Sequence, residues 1–160
     1  MAGLYKAEVA WSRGAATFLK SQYSREHEWR FEGGVVAPAS AAPDSLPRGV
    51  VNGRASIDPE QALVASISSC HMLFALAFFS KDGFVVDSYV DNAVGEMGKN
   101  ERGRFYVAKI TLAPAVTFSG DRRPTEAEIA DVHHRAHEHC YIANTIRSEV
   151  VVAPAPPAFV

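Results

Sequence analysis

The chain has 160 residues, 48% of them hydrophobic and 21% charged, which is the composition of a globular protein long enough to bury a core. Its formal net charge is −2 and its basic residues are scattered, which excludes a strong general attraction to nucleic acid. We expect one domain over residues 1–160, with a proline-rich tail at residues 154–160 that frays.

The first third of the chain is predicted to contain short strands and irregular segments. The candidate strands are residues 6–11, 17–23 and 28–31. A polar turn at residues 24–27 joins the second strand to the third, and Gly33-Gly34 allows another turn or a bulge. Residues 35–51 contain three prolines, which predicts a long irregular segment. Because residues 1–14 carry several charges and no long apolar run, we expect no secretory signal.

A long helix is predicted to begin at Asp58 and to end near Lys81. Asp58 suits the N-cap, Pro59 suits the first helical position, and Gln61 completes an arrangement like a capping box. The Asp-Gly pair that follows Lys81 stops the helix. Apolar residues surround its whole circumference, which implies burial on all sides. Residues 62–79 lack Asp, Glu, Lys and Arg, but serines and a histidine interrupt them, which favours a core helix over a membrane span.

The second half of the chain is predicted to contain three strands and one helix. The strands are residues 84–95, 104–118 and 145–153. The first two form a hairpin through the polar turn at residues 99–103. The helix covers residues 124–140, with Thr125 as its N-cap and acidic residues in its first turn. This order of strands and helices predicts an α+β fold with an antiparallel sheet.

The only two cysteines, Cys70 and Cys140, lie in the two predicted helices. Most buried cysteines are inert, small hydrophobic residues. Ser68, Ser69 and His71, however, place polar groups beside Cys70 in a segment otherwise built for a core. Two cysteines in a reducing cytoplasm are more often catalytic than a permanent disulfide. The sequence therefore indicates cytoplasmic thiol redox chemistry, in which the thiolate is the reactive species.

Four motifs carry a resemblance to a known family. They are DPEQ at residues 58–61, Cys70-His71 ten residues after Glu60, YSREHEW at residues 23–29 and AHEHC at residues 136–140. Together they resemble the OsmC/Ohr family of organic hydroperoxide reductases, in its OsmC-like peroxiredoxin branch. The resemblance implies antiparallel sheets with two central helices, in an intertwined homodimer with two active sites at the interface.

The resemblance also implies the chemistry. Cys70 is the peroxidatic thiolate, which attacks an organic hydroperoxide, releases the alcohol and becomes a sulfenic acid. Cys140 resolves this sulfenic acid into an intramolecular Cys70–Cys140 disulfide. No metal or organic prosthetic group is required, and an external dithiol, often a lipoyl group carried by a protein, is the reductant.

Glu60 precedes Cys70 by ten residues, which is about 15 Å along one helix. A Glu side chain cannot cross that gap. If Glu60 serves the active site, it therefore serves the Cys70 of another subunit. The alternative is a glutamate that stabilises the start of the helix through the macrodipole.

An arginine is expected to stabilise the Cys70 thiolate, because a nearby guanidinium favours the charged form. Arg25 matches the position of the arginine in the family's early hairpin, and it is the favoured candidate. Arg54, in the loop before the helix, is the alternative. A solvated surface charge is the ordinary interpretation of either residue.

The histidines and aromatic residues near the cysteines have less definite roles. His133, His137 and Cys140 share one helix face, but a zinc site is disfavoured because the cluster has one cysteine and no second ligand pair. These histidines, together with His139, are expected to line the pocket or an interface. His71 points about 100° away from Cys70 around the helix, so it is a poor general base. An apolar substrate pocket has four candidate residues, for which core packing is the alternative: Met72, Phe74, Phe78 and Phe79.

A different class of function uses the same fold. A non-enzymatic redox sensor or a small-ligand-binding protein would share these elements, because fold does not fix function. A metal-binding module is a more distant alternative. Turnover of an organic hydroperoxide distinguishes the enzyme from the sensor, which reacts once.

Overall fold

A computed structural model provides the structure of the protein and describes residues 3–16, 18–50 and 53–160. The chain divides into two compact units, Met1–Ala62 and Leu63–Val160. The boundary falls in the first turns of the long helix. The assignment of residues 1–160 to a single domain stays a prediction.

The first unit contains a three-stranded antiparallel sheet in the order β1-β2-β3. Its strands are β1 (Ala7–Ala10), β2 (His27–Phe31) and β3 (Val36–Ala39). The predicted first and third strands are therefore confirmed. Gly33 and Gly34 adopt positive φ angles of 87° and 85° in the turn between β2 and β3, a conformation that glycine adopts without steric cost.

Two predictions for the first unit are wrong. Within residues 18–23 the expected strand is replaced by a 3-10 helix at Leu19–Ser21, and Thr17 lies outside the described residues. The rings of Phe18 and Tyr23 stack at 4.7 Å, so aromatic packing folds this segment onto itself. The segment that was expected to be irregular contains the strand β3. Pro38 is tolerated in β3 because this strand lies at the edge of its sheet, where one side needs no N–H donor. Its last residue, 51, lies outside the described residues.

The second unit contains two three-stranded sheets and most of the helical residues. The strands are β4 (Val85–Asp91), β5 (Val94–Lys99), β6 (Phe105–Leu112), β7 (Pro114–Ser119), β8 (Glu149–Val152) and β9 (Ala158–Phe159). One sheet has the order β4-β7-β9 and the other β5-β6-β8. The hairpin pairs β4·β7 and β5·β6 are antiparallel, as predicted, whereas β6·β8 and β7·β9 are parallel.

Each of the two long predicted strands is interrupted, so the prediction of two continuous strands is wrong. The first separates into β4 and β5, and the second into β6 and β7. Asp91, at the end of β4, accepts the backbone N–H of Ala113 at 2.7 Å and the Ser68 hydroxyl at 2.5 Å. One carboxylate therefore holds both interruptions together and ties them to the long helix.

The tail that was expected to fray is paired, because residues 158–159 form β9 against β7. The N–H of Val160 donates to the carbonyl oxygen of Phe118 at 3.0 Å, and the rings of Phe118 and Phe159 stack at 6.0 Å. The predicted closing strand exists but is shorter, since β8 covers four residues. Apolar packing on a buried phenylalanine therefore outweighs the usual disorder of a terminus.

The two helices are α1 (Pro59–Lys81) and α2 (Glu126–His139), and both predicted starts are confirmed. Asp58 accepts the N–H of Gln61 at 2.7 Å, and Thr125 forms a capping box with Glu128. Gly83, with φ of 83°, follows the end of α1 as expected.

The prediction that α1 is buried on all sides is wrong for a single chain. One stripe of the helix is buried, and it consists of Ile67, His71, Ala75 and Phe79. Leu73, on another side, is 62% exposed. By length and composition α1 could cross a membrane, but a core helix of a globular protein has the same properties. The stripe at four-residue spacing is the face with which α1 joins the core.

Two apolar clusters form the core of the second unit. The first has its fully or nearly buried residues on α1, α2 and β7 and directly before β4: Ala75, Phe79, Phe84, Val116, Phe118, Ile129, Val132 and Ala136. The second is smaller and includes one cysteine: Ile67, Ile110, Leu112 and Cys140. Cys70 packs against this second cluster.

Replacement of Gly95 by alanine should destabilise the protein, because α1 lies very close to β5 there. A Cβ at this position would lie 2.6 Å from Cγ2 of Val64 and 3.3 Å from Cγ1 of Val107. We expect the free energy of unfolding to fall by about 1–3 kcal/mol, as for other overpacked positions. Urea denaturation measures this change. The control is Gly53→Ala, whose Cβ meets only the end of the Glu26 side chain at 3.4 Å; equal stability losses would contradict the close contact.

Candidate active site

The structure brings Cys70 and Cys140 together in the second unit. Cys70 lies near the middle of α1 and Cys140 is the C-cap of α2. Both cysteines are free, and Cys70 packs against the apolar cluster that contains Cys140. The two residues that the sequence marks as redox partners, seventy positions apart in the chain, therefore share one location.

Cys140 is held in a specific environment. Its side chain is fully buried, its thiol faces the carbonyl oxygen of Ile67 at 4.0 Å, and its Sγ accepts the backbone N–H of Ala143 at 3.4 Å. Burial, and next the contact with Cys70, raise the pKa of the Cys140 thiol from 9.0 to about 11. At neutral pH this residue is therefore a thiol rather than a thiolate.

Cys70 differs from Cys140 in its access to solvent. It is partly exposed, whereas Cys140 has no exposed surface. Of the two cysteines, Cys70 is therefore the one in contact with solvent. This asymmetry fits a pair in which one thiol reacts with an external molecule and the other reacts only with its neighbour.

A buried histidine pair connects the two helices that carry the cysteines. Nε2 of His71 and Nδ1 of His133 are 3.0 Å apart, and the two rings stack at 5.3 Å with an interplanar angle of 5°. Within the described residues, Nδ1 of His71 and Nε2 of His133 have no hydrogen-bond partner. Burial lowers the pKa of each ring to about 4, and repulsion from His133 contributes further at His71. Both imidazoles are therefore neutral at physiological pH.

Aromatic side chains surround the outer side of the α1–α2 contact. The ring of Phe74 lies edge-on to Tyr141 at 5.3 Å, and the ring of Phe78 lies edge-on to His139 at 5.3 Å. Because Tyr141 is 71% exposed and follows Cys140 directly, this group is available to contact a ligand. Phe79 is fully buried in the first core cluster, so its inclusion in a substrate pocket is wrong.

The two candidate arginines lie in the first unit, close to one glutamate. The guanidinium of Arg25 donates to the carbonyl oxygen of Ser21 at 2.8 Å and lies 3.8 Å from the centre of the Tyr23 ring. Arg54 donates its backbone N–H to Glu26 at 3.0 Å and its guanidinium to the carbonyl oxygen of His27 at 3.4 Å. Glu26 also accepts the N–H of Gly53, so it joins the turn of Arg25 to the loop of Arg54.

Glu60 occupies the first turn of α1, where it is partly exposed. This position suits a stabilising interaction with the helix macrodipole. Its service to an active site stays a prediction.

Sequence reasoning missed three interactions that shape these surroundings. They are the pairing of His71 with His133, the Ser68–Asp91 hydrogen bond and the bridging role of Glu26. Each joins residues more than twenty positions apart, so no local pattern could reveal it. Among the described residues, no group of three or more His, Cys, Asp or Glu side chains is placed to hold a metal ion.

Comparison with known proteins identifies the family. The OsmC-like protein family model matches residues 52–154. The solved structure of an OsmC-like protein of unknown function from Vibrio cholerae is 44% identical, with a TM-score of 0.92, and the match covers 96% of this chain and 100% of that one. The chain therefore belongs to the OsmC-like family, as its motifs predict.

More distant structures have the same α+β fold. An organic hydroperoxide resistance protein from Elizabethkingia anophelis is 18% identical with a TM-score of 0.63, and the match covers both chains completely. The organic hydroperoxide resistance protein OhrB of Bacillus subtilis is 16% identical with a TM-score of 0.61, over 99% of this chain and 98% of that one. No curated protein matches the sequence.

The stability of the protein should fall as the pH falls from about 6.5 to about 4. His71 and His133 are neutral in the folded state, with a pKa of about 4, whereas an exposed histidine titrates near 6.5. In this window the unfolded chain binds more protons, which favours unfolding by about 3 kcal/mol for one such histidine. Urea denaturation at a series of pH values measures the slope.

The double variant His71→Leu, His133→Leu should flatten this slope between pH 6.5 and 5. His134→Gln is the matched control, because the His134 side chain is 70% exposed. If the double variant and the control both show the wild-type dependence of stability on pH, the buried pair does not titrate as described.

Proposed function

We propose that the protein is a thiol-dependent peroxidase that reduces organic hydroperoxides to alcohols through Cys70 and Cys140. One observation carries the proposal: two free thiols, one partly exposed and one fully buried, meet inside an apolar cluster. An apolar cluster suits substrates with alkyl tails. Membership in the OsmC-like family and structural similarity to two organic hydroperoxide resistance proteins support the same activity.

The proposed reaction has two steps on the protein. The Cys70 thiolate attacks the peroxide oxygen, the O–O bond breaks, and the alkoxide leaves as the alcohol after it takes a proton. Cys70 is then a sulfenic acid. The Cys140 sulfur attacks it, the S–O bond breaks, and the thiol proton of Cys140 leaves with the hydroxyl group as water. Because Cys140 is protonated until this step, it does not compete with Cys70 for the peroxide.

Glu60 and an arginine complete the proposed active site. Arg25 is the favoured arginine and Arg54 the alternative, and either would stabilise the Cys70 thiolate and orient the peroxide. Since Glu60 precedes Cys70 by ten residues on α1, about 15 Å by helical rise, we propose that it serves the Cys70 of the other subunit in a homodimer. An external dithiol, such as a lipoyl group, reduces the disulfide in the cytoplasm.

Cys70→Ser should abolish hydroperoxide consumption, because serine cannot form the sulfenic acid. Cys140→Ser should consume one equivalent of hydroperoxide and then stall with an oxidised Cys70. Loss of cumene hydroperoxide in the presence of dihydrolipoamide measures turnover. A redox sensor on the same fold would react once in the wild type as well. Full multiple turnover in Cys70→Ser would refute the assignment of the nucleophile.

Arg25→Ala should slow the alkylation of Cys70 at neutral pH and slow hydroperoxide reduction by about tenfold or more, since the thiolate loses its partner charge. Arg54→Ala should have a smaller effect. The rate of iodoacetamide alkylation against pH, measured in a Cys140→Ser background, gives the result for each arginine. If only the Arg54 variant changes the profile, the ranking of the two arginines is reversed.

A mixed dimer tests whether the site is shared between subunits. Differently tagged Cys70→Ser and Glu60→Ala chains, co-purified as a heterodimer, should regain about half the wild-type activity although neither homodimer is active. One site then lacks both residues and the other keeps both. The control heterodimer of Cys70→Ser with Cys140→Ser should regain nothing, because each thiol pair lies within one chain. No recovery in the first heterodimer, or an active monomer, would contradict shared sites.

A further inference from the structure

The burial of the two sulfurs has a consequence for the reduction of the disulfide. In the reduced protein Cys70 already packs against the apolar cluster that contains Cys140, so the disulfide can form with α1 and α2 in place. The oxidised pair should therefore keep the same asymmetry, with Cys140 buried and Cys70 partly exposed.

Two physical effects oppose each other when a thiolate attacks this disulfide. Attack on Cys140 would release Cys70, whereas attack on Cys70 releases Cys140, whose pKa of about 11 makes it a poorer leaving group than an ordinary thiol. Because a thiol of higher pKa leaves more slowly, the raised pKa of Cys140 slows the second route. The leaving-group effect by itself therefore favours attack on Cys140.

Access favours the opposite route. A nucleophile must approach a sulfur on the side away from the S–S bond. Around Cys140 lie the carbonyl oxygen of Ile67 at 4.0 Å and the N–H of Ala143 at 3.4 Å, and its packing partners in the cluster include Ile110 and Leu112. An external thiolate could reach this sulfur only after local unfolding, whereas Cys70 needs none. Because attack on Cys140 requires this unfolding, access outweighs the leaving-group effect.

We propose that the external thiol attacks Cys70 and forms the mixed disulfide there, with Cys140 as the leaving group. This inference rests on the disulfide of the proposed function. The S–S bond between the cysteines breaks, a bond forms between the reductant sulfur and Cys70, and Cys140 leaves as a thiolate that takes a proton. A second thiol of the same reductant then attacks its own sulfur, which releases Cys70 and completes the two-electron reduction.

The turn after α2 determines which of the two cysteines the external thiol attacks. Asn144 donates its side-chain amide to the carbonyl oxygens of Cys140 at 3.0 Å and Glu138 at 2.8 Å, and its backbone N–H also bonds to Cys140. The turn thereby holds the N–H of Ala143 against the Cys140 sulfur, where it stabilises the departing thiolate. Asn144 is thus a positioning residue that keeps Cys140 out of reach of the reductant.

The test locates the mixed disulfide by mass spectrometry. Diamide oxidises the full-length protein without any peroxide, 2-mercaptoethanol is added briefly, and N-ethylmaleimide at mildly acidic pH stops the exchange. Trypsin places the two cysteines on different peptides, residues 55–81 and 136–147. We expect the 2-mercaptoethanol adduct on the Cys70 peptide and maleimide on the Cys140 peptide, in at least about tenfold excess over the reverse. An adduct mainly on the Cys140 peptide overturns the inference, as does failure of diamide to form the disulfide.

Two variants test the role of the turn. Asn144→Ala should increase the share of adduct on Cys140, whereas Asn100→Ala should not. Asn100 is a matched control because its side chain also bonds to backbone groups in a turn, in the β5–β6 hairpin. If the share of adduct on Cys140 is unchanged in Asn144→Ala, Asn144 does not protect Cys140 from the reductant.

Single-cysteine variants provide a second readout. With 4,4′-dithiodipyridine, the protein that keeps only Cys70 should react faster than the one that keeps only Cys140, and the reverse order overturns the inference. None of these experiments uses a hydroperoxide. A protein that passes them but leaves cumene hydroperoxide unconsumed would refute the proposed peroxidase activity and leave the order of thiol exchange intact.

Discussion

The packing of α1 against α2 and the turn that follows it is the constraint on which the thiol pair depends. Ile67, His71, Ala75 and Phe79 form the stripe of α1 that enters the core. His71 bonds to His133 of α2, and the carbonyl oxygen of Ile67 faces the thiol of Cys140. Because these contacts lie three residues before and one residue after Cys70 on the same helix, the position of Cys70 relative to Cys140 follows from core packing. The fold thus assembles the pair in the reduced protein.

Burial then gives the two sulfurs different chemistry. The buried one is held as a thiol by its raised pKa, and the partly exposed one is available to external reagents. In the proposed cycle this single difference determines which sulfur attacks the peroxide, which one resolves the sulfenic acid and which one the reductant meets. The neutral histidine pair beneath Cys70 connects the helices without placing a charge in the core.

The sequence predicts those features that local chemistry determines. The caps at Asp58 and Thr125 and the polar turn at residues 99–103 lie where their residue types indicate. Interactions between distant residues were not predictable. Asp91 interrupts two long strands through bonds to Ala113 and Ser68, and the terminal strand forms because Phe159 packs on Phe118.

At the candidate site, too, the sequence predicts local features but not interactions between distant residues. The two cysteines could be selected from the sequence because they are the only ones and lie in recognisable motifs. The sequence alone could not decide between Arg25 and Arg54. Glu26 brings the segments of the two arginines together through hydrogen bonds to Gly53 and Arg54, and these contacts span more than twenty residues. Both arginines and Glu60 belong to the first compact unit, and the thiols to the second.

A single-equivalent oxidation tests the central claim most directly. Fully reduced protein is mixed with one equivalent of cumene hydroperoxide, and the alcohol and the intact protein mass are both measured. The account predicts one equivalent of alcohol, the loss of two hydrogens from the protein, and a peptide in which Cys70 is joined to Cys140. Unconsumed hydroperoxide, or a protein that gains oxygen without forming this disulfide, would contradict it.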